Sequence, residues 1–240
     1  VNAVRAISFD LDETLWSLDR VIERAEQRTR AFLIGHQPAV ATVWGEAGVA
    51  HLRQAVLAEA PGIAHDVGEI RRRVLQRVVH NVGAPAALAE QAFAVFLDAR
   101  NEVSLFDATR PLLEALHRRY VLVALTNGNA DVHRIGIGHY FTAALRAGEV
   151  GAAKPSALMF DAALRAAGVG ADGLVHVGDD PETDVLGAAR RGITAVWLNR
   201  HGQPWPGHLP PVPHHRIERL EQLPALLDQG LAQTRVEEAT

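Results

Sequence analysis

Short apolar runs punctuate the chain at Val4–Phe9, Tyr120–Leu125, Leu174–Val177 and Thr194–Leu198, with a weaker one at Ala143–Arg146. Each is too short for a buried helix and suits a strand covered on both faces. Helical patterns lie between them at Pro111–Arg119, Pro155–Ala167 and Asp184–Arg191. Pro111 and Pro155 suit first-turn positions, while Gly168 and Gly192 suit C-terminal caps. Strands alternating with helices predict an α/β fold built on a Rossmann-like open parallel sheet. One stretch breaks the alternation. From Leu18 to Leu105 strand pattern is scarce, and helical segments recur at Val21–Ile34, His51–Ala60, Val67–Val82 and Pro85–Asn101. A simple crossover is much shorter, so this stretch is expected to be an inserted α-helical domain. The expected division is 1–16 and 106–240 for the α/β core and 17–105 for the insertion. A last short strand near Arg216–Ile217 and a helix at Leu223–Leu227 should close the chain, with Gln233–Thr240 polar and frayed.

Candidate chemistry collects where strands stop. The first run ends in Asp10-Leu11-Asp12-Glu13-Thr14. Parallel sheets bind ligands at strand C-termini, and paired carboxylates there can hold a divalent cation, attack an electrophile or move a proton. Taken alone, the same residues could be an Asp-rich helix cap. Strand Tyr120–Leu125 ends in Thr126-Asn127-Gly128-Asn129, which offers a hydroxyl and a glycine turn to an anion, although an Asn-Gly turn is common. Lys154 precedes Pro155, where it could neutralise a phosphate or be an ordinary surface charge. A fourth cluster, Gly178-Asp179-Asp180-Pro181-Glu182-Thr183-Asp184, crowds carboxylates that repel unless a cation or a helix N-terminus offsets them.

Composition narrows the picture. The chain of 240 residues is 48% hydrophobic and 22% charged, with net charge -4 and no cysteine. A nucleic-acid footprint would demand the opposite charge balance, and disulfide and thiol chemistry are excluded. No apolar stretch is long enough to span a bilayer, and no basic leader or cleavage-like site precedes the first strand. A cytoplasmic monomer or homodimer is expected, with no nucleic-acid or membrane partner.

The ordered set Asp-x-Asp-x-Thr, strand–Thr-Asn, Lys-Pro and Gly-Asp-x4-Asp resembles the haloacid dehalogenase superfamily of phosphohydrolases along essentially the whole chain. The helical insertion is similar to that superfamily's α-helical cap. Longer stretches, Leu125–Ala130, Leu145–Gly148, His176–Asp180, Thr183–Val185 and His65-Asp66-Val67, resemble bacterial phosphatases of flavin mononucleotide and of phosphorylated ribitylaminouracil. The resemblance implies a small phosphate ester as substrate and Mg²⁺ as cofactor. It implies Asp10 as nucleophile, Asp12 as general acid and base, Thr126 and Asn127 at the phosphoryl oxygens, and Lys154 as charge balance. Asp10, the Asp12 carbonyl and Asp179 would hold the metal, with Asp184 orienting water or Lys154. Asp180 and Glu182 fall on variable positions and receive no role.

Asp12 also separates chemistries. The dehalogenases of the superfamily lack a carboxylate two residues after the nucleophile, and a halide leaves without a proton, whereas an alkoxide needs one. The alternatives of the same fold are a sugar-phosphate or sugar-acid phosphatase, a phosphomutase and, less well matched, a haloacid dehalogenase. A non-catalytic phospho-Asp switch would gain nothing from a neighbouring general base. Trp16, just after the first motif, is expected either to stack on a flat substrate or to pack the cap against the core. Arg71-Arg72-Arg73 should form a solvated face, since three consecutive helical residues cannot face one ligand. Trp44 reads as core. The His/Pro-rich segment from His201 to His215 lacks metal-ligand spacing and is expected to cross the surface.

Overall fold

Side chains alternate across the central strands, and each face of the sheet gains its own apolar layer. Ile7 and Phe9 of β1 (Ala6–Phe9) join Leu122 and Ala124 of β2 (Val121–Thr126) and Val175 and Val177 of β4 (Leu174–Gly178) on one face. Ala6, Val123, Leu125 and Leu174 occupy the other. With β3 (Ala143–Arg146), β5 (Thr194–Leu198) and β6 (His215–Ile217) these strands form one parallel sheet, ordered β3-β2-β1-β4-β5-β6. The computed structural model describes residues 3–231 of the chain, so the expected fraying of Gln233–Thr240 lies outside the described residues. The chain builds outward from β1 to β3, then returns to the other side of β1 to lay down β4. The switch point therefore falls between β1 and β4, where a crevice opens at the strand C-termini.

The insertion consists of α1 (Val21–His36), α2 (Val40–Val43), α3 (Glu46–Glu59), α4 (Val67–Asn81) and α5 (Ala87–Arg100). It has its own apolar centre, with Ala25 and Leu33 of α1 against Leu75, Val78 and Val79 of α4 and Ala89, Ala92 and Phe96 of α5. Asp66 starts α4 by accepting from the Glu69 amide at 2.8 Å. The core helices are α6 (Thr109–His117), α7 (Val132–Ile135), α8 (Ala147–Val150), α9 (Ala157–Ala167), α10 (Gly187–Arg190) and α11 (Leu223–Asp228). Leu112, Leu113 and Leu116 of α6 and Leu223 and Leu227 of α11 cover the first face. Met159, Phe160 and Ala163 of α9 cover the second.

Four expectations are corrected. Pro155 does not open a helix: α9 begins at Ala157 behind the cap residue Ser156, and the Lys154–Pro155 bond is cis. The pattern Asp184–Arg191 is divided into a π-helical turn, Pro181–Leu186, and α10. Asp180 caps that turn by accepting from the Glu182 and Thr183 amides. Arg71 is not a solvated residue; it pairs with Glu26 at 3.0 Å and lays its guanidinium 3.8 Å from the centre of the Phe96 ring. The His/Pro segment does not simply cross the surface, because Trp205, Leu209, His214 and His215 are buried. Trp205 stacks on His214 and meets Trp197 of β5 edge-on, which ties the segment to the sheet.

Candidate active site

Both strands at the switch point end on an acid. Asp10 follows β1, and its amide donates to the Val177 carbonyl of β4 at 2.9 Å, so the pairing of the two strands extends one residue beyond β1. Asp179 follows β4, and its Oδ1 accepts from Thr14 Oγ1 at 3.2 Å. Lys154 reaches this point from the loop before α9. Its Nζ lies 2.5 Å from Asp10 Oδ1 and 2.5 Å from Asp184 Oδ1, and only 4% of the residue is exposed. Carboxylate oxygens of Asp10, Asp179 and Asp184 all fall within 4.8 Å of one another.

Sequence and local geometry explain this convergence. Gly178 precedes Asp179 because a Cβ there would stand 2.3 Å from the Asp184 carboxyl carbon. Asn127 holds the Lys154 backbone at both ends: its Nδ2 donates to the Lys154 carbonyl at 2.9 Å, and its Oδ1 accepts from the Lys154 amide at 2.6 Å. The Asn127 side chain is thus occupied by Lys154 rather than free for a substrate. Behind the acids, Ser8 and His176 are register partners on β1 and β4. Ser8 Oγ lies 2.9 Å from His176 Nδ1, and His176 Nε2 lies 3.2 Å from Asp184 Oδ1. Burial holds the His176 imidazole below its usual pKa. A neutral ring protonated at Nε2 satisfies both neighbours.

Charge does not balance in this cluster. Burial and then the Asp184 and Asp179 charges push Asp10 well above the usual carboxylate range, against the pull of Lys154. Burial, with Asp184 nearby, raises Asp179 to about 7. Burial also opposes charge on Asp184, but Lys154 and the hydrogen bond from His176 outweigh it and hold this group low. Burial likewise disfavours charge on Lys154, yet Asp10 and Asp184 outweigh it and raise its pKa. One buried ammonium therefore faces three carboxylates. A divalent cation fits the deficit, because it supplies the missing charge and takes oxygen ligands.

A pH dependence follows. Asp179 binds its proton more tightly in the folded chain than in the unfolded one, so the metal-free fold loses stability as pH rises from about 4 to about 7. A divalent cation competes with that proton. Its addition is expected to raise Tm more near pH 8 than near pH 5, as thermal unfolding with and without the cation would read. An equal gain at both values would contradict the assignment.

The second half of the site surrounds Asp12. Thr126, ending β2, is buried, and its Oγ1 accepts from the Gly128 amide at 2.9 Å. A Cβ on Gly128 would lie 2.9 Å from Asp12 Oδ2 and 3.3 Å from Thr126 Oγ1, so only glycine lets this loop approach Asp12 so closely. Trp16 is fully buried in the core layer, and its Nε1 donates to Asp12 Oδ1 at 2.8 Å. No ring face is left for a ligand. Contrary to the expectation of a stacking wall, Trp16 packs and hydrogen-bonds inside the core.

Sequence reasoning missed three residues and left a fourth without a role. Arg100, at the end of α5, donates from Nη2 to both Asp12 oxygens at 2.7 and 2.6 Å. Trp197 Nε1 donates to the Asp179 carbonyl at 2.9 Å and so links the buried His/Pro segment to the site. Arg200 donates to the Thr14 carbonyl at 2.9 Å and stacks 3.8 Å above Phe106, bracing the turn after Asp12. His176 had one visible signal, a polar residue inside an apolar strand.

Residues 4–192 match the model of the haloacid dehalogenase-like hydrolases. The chain belongs to that family. Among its members, 5-amino-6-(5-phospho-D-ribitylamino)uracil phosphatase YigB of Escherichia coli (strain K12) is 36% identical over 235 residues, covering 95% of this chain and 98% of that one. Phosphoserine phosphatase of Thermus thermophilus is 38% identical over 143 residues, 57% of each chain. Among solved structures, a 2-haloacid dehalogenase from Pseudomonas syringae pv. Tomato DC3000 superposes with a TM-score of 0.89 at 37% identity, covering 95% of this chain and 99% of the other. The Rossmann-like parallel sheet expected from the sequence is that of the haloacid dehalogenase-like hydrolases. Among the described residues, no helix is long and apolar enough to cross a membrane.

Proposed function

We propose that this haloacid dehalogenase-like hydrolase cleaves small phosphate monoesters through a phosphoryl group carried briefly on Asp10. The pairing of buried Asp10 with Lys154, and the second carboxylate of Asp12 beside Thr126 and Gly128, carries the reading. Lys154 engages Asp10 Oδ1, which leaves Oδ2 for attack at phosphorus. As the new P–O bond forms, the ester P–O bond breaks, and Asp12 gives its proton to the departing oxygen. Asp12 then takes a proton from water that attacks the same phosphorus, releasing inorganic phosphate and free Asp10. Thr126 and the backbone amides after it hold the phosphoryl oxygens, and Lys154 offsets their charge. Mg²⁺ is the proposed cation; Asp10, Asp179 and the Asp12 carbonyl would hold it, with Asp184 keeping Lys154 in place. When bound, it neutralises charge on the phosphoryl group.

The dehalogenase that shares this architecture raises a second reading, cleavage at carbon. Asp12 argues against it: a carboxylate pinned by Trp16 and Arg100 beside the Thr126 loop serves proton transfer, and a halide leaving group needs none.

We further propose that segment 17–105 is a cap that selects the ester. A cleft of about 290 Å³ runs from Asn127, Gly128 and Asn129 of the core to Asp66, Arg72 and Phe93 of the insertion. Arg72 lies 4.9 Å from the Phe93 ring centre, which makes one apolar, cation-backed wall among polar groups. That combination suits a flat, polar ring carried on a flexible alkyl phosphate, and the similarity to YigB supports ribitylaminouracil phosphate, with flavin mononucleotide as its relative. A side-by-side panel of phosphate esters assayed with Mg²⁺ tests this. Ribityl esters are expected to show the higher kcat/KM. Preference for a hexose or sugar-acid phosphate would refute the substrate class and leave the phosphatase reading standing.

A further inference from the structure

Arg100 is a buried cation that takes no part in the bond-making and bond-breaking steps at phosphorus. It is 1% exposed, although it ends a helix of the insertion rather than a strand of the core. Burying a guanidinium is costly unless a carboxylate and hydrogen bonds compensate it. Here the compensation comes from one residue. Nη2 donates to both oxygens of Asp12, at 2.7 and 2.6 Å, and Nη1 is buried with no hydrogen-bond partner among the described residues. An arginine kept for packing could be replaced by methionine or leucine, with no orphaned donor.

The end of α5 is also anchored to the core. Asn101 Oδ1 accepts from the Asp131 amide at 2.7 Å, in the loop that follows Thr126–Asn129. Glu102 meets Arg28 of α1 at 2.5 Å, which ties the same end to the rest of the insertion. The guanidinium is thereby held against the catalytic loop by its neighbours in sequence. Nη2 would be 3.5 Å from a Cβ on Gly128, so it stands on the same side of Asp12 as the Thr126 turn.

We propose that Arg100 is a positioning residue for the acid and base Asp12, supplied to the core by the insertion. Trp16 Nε1 takes Oδ1 from one direction, and Arg100 Nη2 bridges both oxygens from another. Together they fix the carboxylate plane beside the phosphoryl site, which an aspartate with free side-chain torsions would not keep. Misplacing a reacting group by about 1 Å can cost on the order of 10² in rate. The loss should fall on the step that Asp12 performs, and most heavily on esters whose leaving oxygen needs its proton.

The inference rests on the phosphomonoesterase reading, and its test separates the two. The wild-type protein, Arg100→Ala and Arg100→Lys are assayed with Mg²⁺ on p-nitrophenyl phosphate and on an alkyl phosphate, with pre-steady-state release of the first alcohol recorded. No turnover of either ester by the wild type would overturn the phosphatase reading itself. Given an active wild type, Arg100→Ala is expected to lower kcat for the alkyl ester by about 10²-fold. KM should change little, and the first release of p-nitrophenol should fall much less. Added guanidinium ion should restore part of the alkyl activity. Should the alanine variant fail to fold, Arg100→Lys, which keeps the charge but loses the planar guanidinium that holds Nη2 against both oxygens, should show the same alkyl-selective loss. Equal loss in the first release of alcohol from both esters, loss expressed only in KM, or unchanged kinetics would overturn the positioning role.

Discussion

Asp10→Asn is expected to abolish turnover, on the order of 10³-fold or more, while the fold survives. Asparagine keeps the shape of the side chain but is no anionic nucleophile. The site predicts a second, less usual outcome for this variant. Three carboxylates converge, only two of them bonded to Lys154, and burial with neighbouring charge already pushes Asp10 well above the usual range. Removing one of them relieves repulsion, so the metal-free Asp10→Asn protein should melt no lower than the wild type. Activity and Tm would therefore move independently. A variant that lost activity only because it unfolded, or that kept more than a few percent of activity, would not fit Asp10 as nucleophile.

Lys154→Met should do the reverse. Methionine has a similar length but no charge, and it leaves Asp10 and Asp184 facing each other in a buried space. Breaking a buried pair by removing one partner typically costs about 3–5 kcal/mol, because the other charge stays uncompensated. A Tm fall of many degrees is expected together with loss of turnover. Divalent cation should recover part of the stability, since it replaces some of the missing positive charge. It should recover little of the activity, because nothing then offsets the phosphoryl oxygens from the lysine side. Unfolding curves for the variant with and without Mg²⁺ would distinguish these effects.

These expectations come from a site whose framework was legible in the sequence to an unequal degree. The strands were legible because burial on both faces leaves continuous apolar runs, as in Ala6–Phe9. Acids that end such runs were legible for the same reason: Asp10 and Asp179 interrupt a pattern that packing alone would continue. What the sequence concealed depends on contacts between distant segments. Arg100 closes a helical stretch of ordinary composition, and its importance arises from a partner 88 residues away. Trp16 looked free to meet a ligand because an aromatic after a catalytic loop can face either way. Its orientation is set by Asp12, one helical turn earlier in sequence but on the turn between β1 and α1. Pro155 looked like a helix start, yet the Lys154 backbone is clasped by Asn127, and the helix begins only after Ser156. The buried histidines and tryptophan between Trp205 and His215 were hidden by the prolines around them, which usually mark exposed loops.

The most direct test of the account is to catch the covalent intermediate. The protein with Mg²⁺ is mixed with a phosphate monoester, quenched in acid within the first turnover, digested and mapped by mass spectrometry. The account predicts a transient phosphoryl group on the peptide that contains Asp10, attached to Asp10 itself, removable by hydroxylamine and absent from Asp10→Asn. Turnover of the ester with no phosphoryl group on Asp10 at any time, or with one on another residue, would contradict it.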